Sequence, residues 1–282
     1  MDEPRILLSD LILGESPRWH DGRLWLADWG AHEVLAVDLE GTREVVARVA
    51  SFPFSIDWLP GGQLLIVSSS DRRLLRRGSD GSLMIHTDLR GLSDMPWNEI
   101  VVDGRGNTYV NNIGFDMMAG ERAGPGIVAL VTPDGSSRRV ADDVLFPNGM
   151  VVTPDNSTLI LAESHDQRLT AFDIEPDGGL SRRRLWAKLD GGAPDGICLD
   201  TDGAVWFGDV PNKRCVRVRE GGEVLQTIEL DRGCFACMLG GADGATLFMI
   251  AAEWGGPQAA ADAARTGRVL TVDAPAPRAG WP

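Results

Sequence analysis

One strand–turn–strand motif recurs six times along the chain, and a repeat of that kind leaves few folds open. The copies are "ESPRWHDGRLWLADWG" (15–30), "SIDWLPGGQLLIVSSS" (55–70), "NEIVVDGRGNTYVNNIG" (98–114), "NGMVVTPDNSTLILAES" (148–164), "DGICLDTDGAVWFGDV" (195–210) and "ACMLGGADGATLFMIAAEW" (236–254). Each is a short apolar run, a turn rich in Asp, Gly and Asn, and a second apolar run. The closing turn residues, Gly22, Gly62, Gly106, Asn156, Gly203 and Gly244, are spaced by 40, 44, 50, 47 and 41 residues. A period of this length made only of strands predicts propeller blades, one four-stranded sheet per repeat.

The fold expected is therefore all-β, a six-bladed β-propeller forming one domain over 1–282, with blades at roughly 10–48, 52–90, 95–142, 146–190, 193–230 and 234–273. The short apolar run 5–9 has no hairpin partner of its own. It is expected to close the ring by pairing into the last blade, near "GRVLTVD" (267–273), because an open ring would leave a strand edge free. The charge-alternating runs 167–174 and 214–220 read as outer strands with one wet face. The insertion 115–126 reads as a rim loop, the Ala-rich stretch 255–266 as a helical turn or a loop, and 274–282 as an extended tail.

Composition narrows the function classes. With 27 basic and 41 acidic residues the chain carries a formal charge of −14, which would repel a phosphate polyanion and argues against nucleic-acid binding. No apolar run is long enough to cross a bilayer, and the first residues lack a secretory pattern, so the reading is of a cytoplasmic protein. Cys198, Cys215, Cys234 and Cys237 lack the spacing of a metal site and read as buried thiols. There is no G-x-S-x-G, H-E-x-x-H, P-loop or G-x-G-x-x-G pattern.

Seven or eight residues before each turn residue stand Glu15, Ser55, Asn98, Asn148, Asp195 and Ala236. Any one Asn or Asp at a strand start commonly serves only to cap backbone groups. Four oxygen-bearing side chains at one register are a different matter, because equivalent positions on separate blades face one another across a propeller axis. Glu15, Asn98, Asn148 and Asp195 then form an oxygen cup suited to one hard divalent cation. Calcium stands first; Mn²⁺, Zn²⁺, Mg²⁺ and Fe²⁺ accept the same donors. Ser55 and Ala236 are small and are expected to leave room on their side of the channel.

The motifs "GESPRW" (14–19), "FPNGMVVTPDNSTLILAES" (146–164) and "APDGICLDTDGAVWFGDV" (193–210) closely resemble the SMP-30/gluconolactonase/LRE family, over nearly the whole chain. The resemblance implies a six-bladed propeller with one catalytic divalent metal, held by Glu15, Asn148 and Asp195. It implies Asp195 as general base, and Asn98 as either a further ligand or a substrate contact. The chain departs from the sugar lactonases of that family where Pro96-Trp97-Asn98-Glu99 replaces R-x-N-D, so the arginine that meets sugar hydroxyls is missing. Asp116 matches an acidic substrate contact. Around the same rim stand Trp29, Met95, Trp97, Phe115, Met117, Met118 and Trp254, with His165 just after a strand end.

The function expected is a metal-dependent lactonase acting on a small lactone less polar than an aldonolactone, contacted by Asn98, Trp97, Asp116, Phe115, Trp29 and His165. The alternatives are a phosphotriesterase-like hydrolase using the same cup and a calcium- or ligand-binding propeller without activity.

Overall fold

A computed structural model of the chain describes residues 3–117, 119–256 and 264–282. It is an all-β, six-bladed propeller with six antiparallel sheets. The innermost strands are Gly14–His20, Phe54–Trp58, Ile100–Val102, Pro147–Val152, Pro194–Asp200 and Gly233–Gly240, and they neighbour one another in a closed cycle, the sixth lying against the first. Each blade then steps outward through a second, third and fourth strand. In the sixth blade the fourth strand is Arg5–Leu11, which runs antiparallel to Gly267–Asp273 with Arg5 opposite Thr271 and Leu11 opposite Gly267.

The second strands carry the apolar runs "LWLAD", "LLIVS", "LILAE" and "VWFGD" and are buried on both faces, since each face meets a neighbouring blade. The core is accordingly a set of layers between blades. One layer joins Leu65 and Val67 of blade two to Ile100 and Val110 of blade three; another joins Ile160 and Leu169 of blade four to Val205 and Phe207 of blade five. Trp19 stacks on Phe248 with ring centroids 5.4 Å apart, binding the first blade to the sixth. All four cysteines are free and buried, and the Cys198 and Cys237 sulfurs lie 3.8 Å apart.

Two sequence expectations need correction here. The charge-alternating runs lie in Arg168–Ile174 and Arg214–Val218, which are third strands, mostly buried, and covered by Leu180–Lys188 and Val224–Glu229. Their charges are satisfied within the fold: Arg217 donates to Asp200 at 2.7 Å, and Arg184 donates to Asp173 at 2.5 Å. Residues 274–282 are also more than a tail. Arg278–Ala279 adds a fifth strand beside the innermost strand of blade five, and Trp281 exchanges two backbone hydrogen bonds with Val152 of blade four. Arg278 further donates to the Trp19 carbonyl of blade one at 3.2 Å. This segment therefore lies across one end of the ring. The expectation for 255–266 falls largely on residues 257–263, outside the described residues.

The innermost strands of blades four and five approach so closely that side chains there are excluded. A Cβ on Gly149 would sit 2.6 Å from the Ile197 nitrogen and 2.8 Å from the Asp195 carbonyl oxygen, both backbone atoms that cannot swing aside. Gly149→Ala is expected to destabilise the protein by about 1–3 kcal/mol, the usual range for overpacking. Denaturant unfolding measures this, and an unchanged midpoint would contradict the close approach.

Candidate active site

At the end of the ring opposite residues 274–282, the approaches to the innermost strands and the segments leaving the second strands enclose a cleft of about 670 Å³. Glu15, Asn98, Asn148 and Asp195 all line it, as do Trp29, Trp97, Phe115, Asp116 and His165. Every one of the sequence-predicted site residues thus borders one cavity, although they come from four blades and 180 residues of separation.

The floor is acidic. Glu15 is only 4% exposed and receives the Ser16 backbone N–H at 2.9 Å, with Ser16 in the left-handed region at φ 50°. Burial pushes the proton affinity of Glu15 well above the ordinary carboxylate value, and the neighbouring charge of Asp195 pushes it further, followed by that of Glu99. Asp195, partly open to the cleft, is raised by its surroundings and by Glu99, with the side chain of Asn148 hydrogen-bonded to it as a counterweight. Asn98 donates through Nδ2 to the Pro147 carbonyl at 3.1 Å, which leaves its amide oxygen for another partner. Asn111 donates to the Asn148 carbonyl at 2.7 Å and so fixes the backbone of that residue.

Below the floor the axis is filled by groups the motif reading did not single out. Glu99 and Arg18 lie with Glu15 around a constriction of about 10 Å³. Arg18 reaches Glu99 at 3.4 Å and Asp57 at 3.7 Å, and donates to the Ile100 carbonyl at 2.6 Å. Ser55 donates to the Asn98 carbonyl at 2.6 Å and to Glu99 at 3.0 Å, so it is a strut beneath the site and not a gap beside it. Arg18 and Glu99 stand in the sequence within "PRW" and "WNEI", but only the fold brings the two together.

The walls are apolar. Trp29 and Phe52 meet edge to face at 5.8 Å on the side of blades one and two. Phe115, Phe146 and His165 cluster on the side of blades three and four, with Phe146 and His165 ring centroids 4.4 Å apart. Phe235 and Trp254 meet edge to face at 5.5 Å in blade six. Burial holds the His165 imidazole below its ordinary value, so it is neutral at pH 7. Among the described lining residues there is no lysine or arginine.

Several expectations shift in detail. In blade six the mouth position belongs to Phe235, while Ala236 lies one step down the axis, beside the place where a Cβ on Gly196 would sit. The bulge between Cys234 and Ala236 adds a residue that the turn-based count could not see. That side of the mouth is thus filled by an aromatic ring. Met95 is not among the lining residues, and Met118 is outside the described residues. Trp97 lines the cleft but is completely buried in the layer between blades two and three, and its indole N–H has no acceptor among the described residues. Asp116 already accepts the Ala119 N–H at 2.9 Å through one oxygen.

The donor set can be tested for fit to a cation. Asp57 and Glu99 face the Arg18 guanidinium below the floor, which leaves Glu15 and Asp195 as the two acids of the cup. Their two negative charges are what one divalent ion neutralises, and carboxylate and amide oxygens are the donors a hard ion takes. The residues present fit such an ion. An acid with a raised folded-state pKa favours folding fully below its free value, 4.5 for Glu15 and 3.8 for Asp195, and that contribution is lost as pH rises through the raised value. Metal-free Glu15→Gln and Asp195→Asn are therefore expected to melt a few degrees above the wild type at pH ~8, with the gap closing below pH ~4. Thermal melts with chelator at both pH values check this, and variants that melt lower at pH ~8 would contradict it.

The SMP-30/Gluconolactonase/LRE-like region matches residues 13–253 of the chain. Regucalcin of Danio rerio is 32% identical over 263 residues, covering 86% of this chain and 84% of its own. A gluconolactonase structure from Xanthomonas campestris superposes with a TM-score of 0.76 at 22% identity, covering 98% of this chain and 96% of its own. The calcium-binding protein regucalcin from Agrobacterium tumefaciens superposes with a TM-score of 0.78 at 20% identity, covering 98% and 95%. Sequence motifs, propeller and family match agree, and the chain belongs to the SMP-30/gluconolactonase/LRE-like family.

Proposed function

We propose that the chain is a divalent-metal-dependent lactonase whose substrate is less polar than an aldonolactone. The observation that carries this reading is the placing of two acids, Glu15 and Asp195, with the amides of Asn98 and Asn148 at the floor of an otherwise apolar cleft, where burial raises the proton affinity of both acids and the charge of Asp195 adds to that of Glu15. Keeping such a pair charged is costly unless a cation compensates it. Membership of a family that includes gluconolactonases supports the choice of a cyclic ester as the substrate class.

When bound by Glu15, Asn148 and Asp195, a divalent cation, Ca²⁺ in the first instance, supplies Lewis-acid polarisation of the lactone carbonyl. The remaining roles fall to the protein. Asp195 takes a proton from the water that adds to the lactone carbonyl and returns it to the ring oxygen as the acyl C–O bond breaks, because it opens to the cleft whereas Glu15 is buried and already bonded to the Ser16 N–H. Asn98, anchored through its nitrogen on Pro147, presents its oxygen toward the ion or a substrate hydrogen. Asn148 holds Asp195 in place. Trp29, Phe115 and His165 line the walls that receive the substituent of the lactone and exclude water, Trp97 lies fully buried next to Asn98 in the wall's core layer, and Asp116 borders the entrance. With no lysine or arginine among the described lining residues, the walls offer no ion-pair partner to lactones that carry a phosphate, sulfonate or carboxylate.

Two experiments test the reading. Asp195→Ala and Glu15→Ala are each expected to lower kcat/KM for a lactone by on the order of 10³-fold while leaving the circular dichroism of the folded chain intact. Full turnover by either variant removes the mechanism. In a pH-drop assay with added Ca²⁺, Mn²⁺ or Zn²⁺, alkyl-substituted lactones are expected to exceed glucono-lactone by about tenfold in kcat/KM, the worth of one or two methylenes in an apolar pocket. The reverse order would overturn the apolar-substrate assignment. Turnover of phosphotriesters alone would move the activity to the other ester class, and metal-dependent stabilisation without hydrolysis would leave a binding protein.

A further inference from the structure

Three blades share a device that the other three lack. The residue directly opposite Gly14 is Asp28, the residue opposite Pro147 is Glu163, and the residue opposite Pro194 is Asp209. Each pairing falls one residue before a candidate ligand: Glu15, Asn148 and Asp195. In every case the carboxylate turns back onto the backbone two or three residues ahead of that ligand. Asp28 accepts the Leu13 N–H at 3.1 Å and the Ile12 N–H at 3.2 Å. Glu163 accepts the Leu145 N–H at 2.7 Å, and Asp209 accepts the Ala193 N–H at 3.3 Å.

The ladder register breaks at once after these pairs, between Glu15 and Arg18, Pro147 and Met150, and Pro194 and Ile197. A bulge releases its residues from the alternating pleat and re-aims a side chain. Asn148 and Asp195 therefore stand in bulges, and Glu15, still paired with Ala27, borders one; in each case the upstream flank is clamped by a buried acid. Asp28 is 1% exposed, and Glu163 and Asp209 are fully buried.

The propeller itself does not require these acids. At the end of the second strand, blade two has Ser68, with an unbroken register through Ser55; blade six has Ala252 opposite Gly233; blade three has Asn112, which accepts the Gly114 N–H downstream of the strand. Those blades close with small or neutral side chains. A buried carboxylate costs desolvation free energy that Ser, Asn or Ala does not, and at this strand-end position it occurs in the blades that present Glu15, Asn148 and Asp195.

We propose that Asp28, Glu163 and Asp209 are positioning residues that fix the three bulges presenting Glu15, Asn148 and Asp195 to a divalent cation; this rests on the metal-site reading above. All the carboxylates meet donors through both oxygens: two backbone N–H groups on Asp28, Arg168 and Thr170 besides Leu145 on Glu163, and Arg214 and Asn212 besides Ala193 on Asp209. An isosteric amide would turn an NH₂ toward one of those donors and loosen the clamp without emptying the space.

The test is Ca²⁺ titration calorimetry on the metal-stripped full chain, with metal-free melting temperatures recorded for the same proteins. Asp28→Asn, Glu163→Gln and Asp209→Asn are each expected to weaken Ca²⁺ binding by roughly 10–100-fold, the usual effect of groups that orient metal ligands. Ser68→Ala, at the equivalent strand end of a blade without a ligand, is expected to keep the wild-type Kd. Amide variants with a lower metal-free Tm but an unchanged Ca²⁺ Kd would make the acids structural only and overturn the proposal. A wild-type chain that binds none of Ca²⁺, Mn²⁺, Mg²⁺ or Zn²⁺ would instead overturn the metal-site reading on which it stands.

Discussion

The close approach of six innermost strands around one axis is the constraint from which the rest of the molecule follows. It admits glycine and little else where blades four and five touch, at Gly149 and Gly196. It also brings side chains from distant repeats into one small volume. Acids placed there cannot be diluted by solvent, so Glu15 feels the charges of Asp195 and Glu99, and Asp195 feels that of Glu99. The same geometry that packs the ring therefore builds an electrostatic demand into its centre. Arg18 answers part of it from below, and the remainder faces the cleft.

Much of this was legible in the sequence because a repeat translates register directly into geometry. Glu15, Asn98, Asn148 and Asp195 occupy one position of the motif, and all four border the cleft. Where the count failed, a bulge was the cause. A bulge inserts one residue without altering the apolar rhythm around it, and in blade six this exchanged Ala236 for Phe235 at the mouth. The outer strands were misplaced for a different reason. Alternating charge signals a wet face only if no further strand covers it, and Arg217 in a third strand finds its carboxylates within the fold. Ser55 had looked like an empty position because its partners, Asn98 and Glu99, lie in the next blade. Asp28, Glu163 and Asp209 end apolar strands as "LAD", "LAE" and "FGD", and nothing in those triplets reveals which backbone they grip.

The cleft joins two environments seldom found together, an acidic floor and aromatic walls. Sugar-binding sites rely on many polar side chains to replace the water of each hydroxyl group. Here Phe52, Phe115, Phe146 and Phe235 offer surface and no hydrogen bonds, and Pro96 lines the same cleft. Asn98 also stands apart from the other three floor residues. It belongs to a blade without a clamping acid, and its amide nitrogen is fastened to a neighbouring blade.

Residues 274–282 give the ring a consequence of direction. They strap the rim farthest from the cleft, touching blades one, four and five, while Arg18 and Glu99 obstruct the bore between. Among the described residues the cleft is thus blocked from below and opens at the rim away from the strap. Under the proposed activity a neutral lactone enters and a hydroxy acid must retreat along the same path. Ring opening creates a carboxylate at the floor, and no lysine or arginine among the described lining residues pairs with it on the way out.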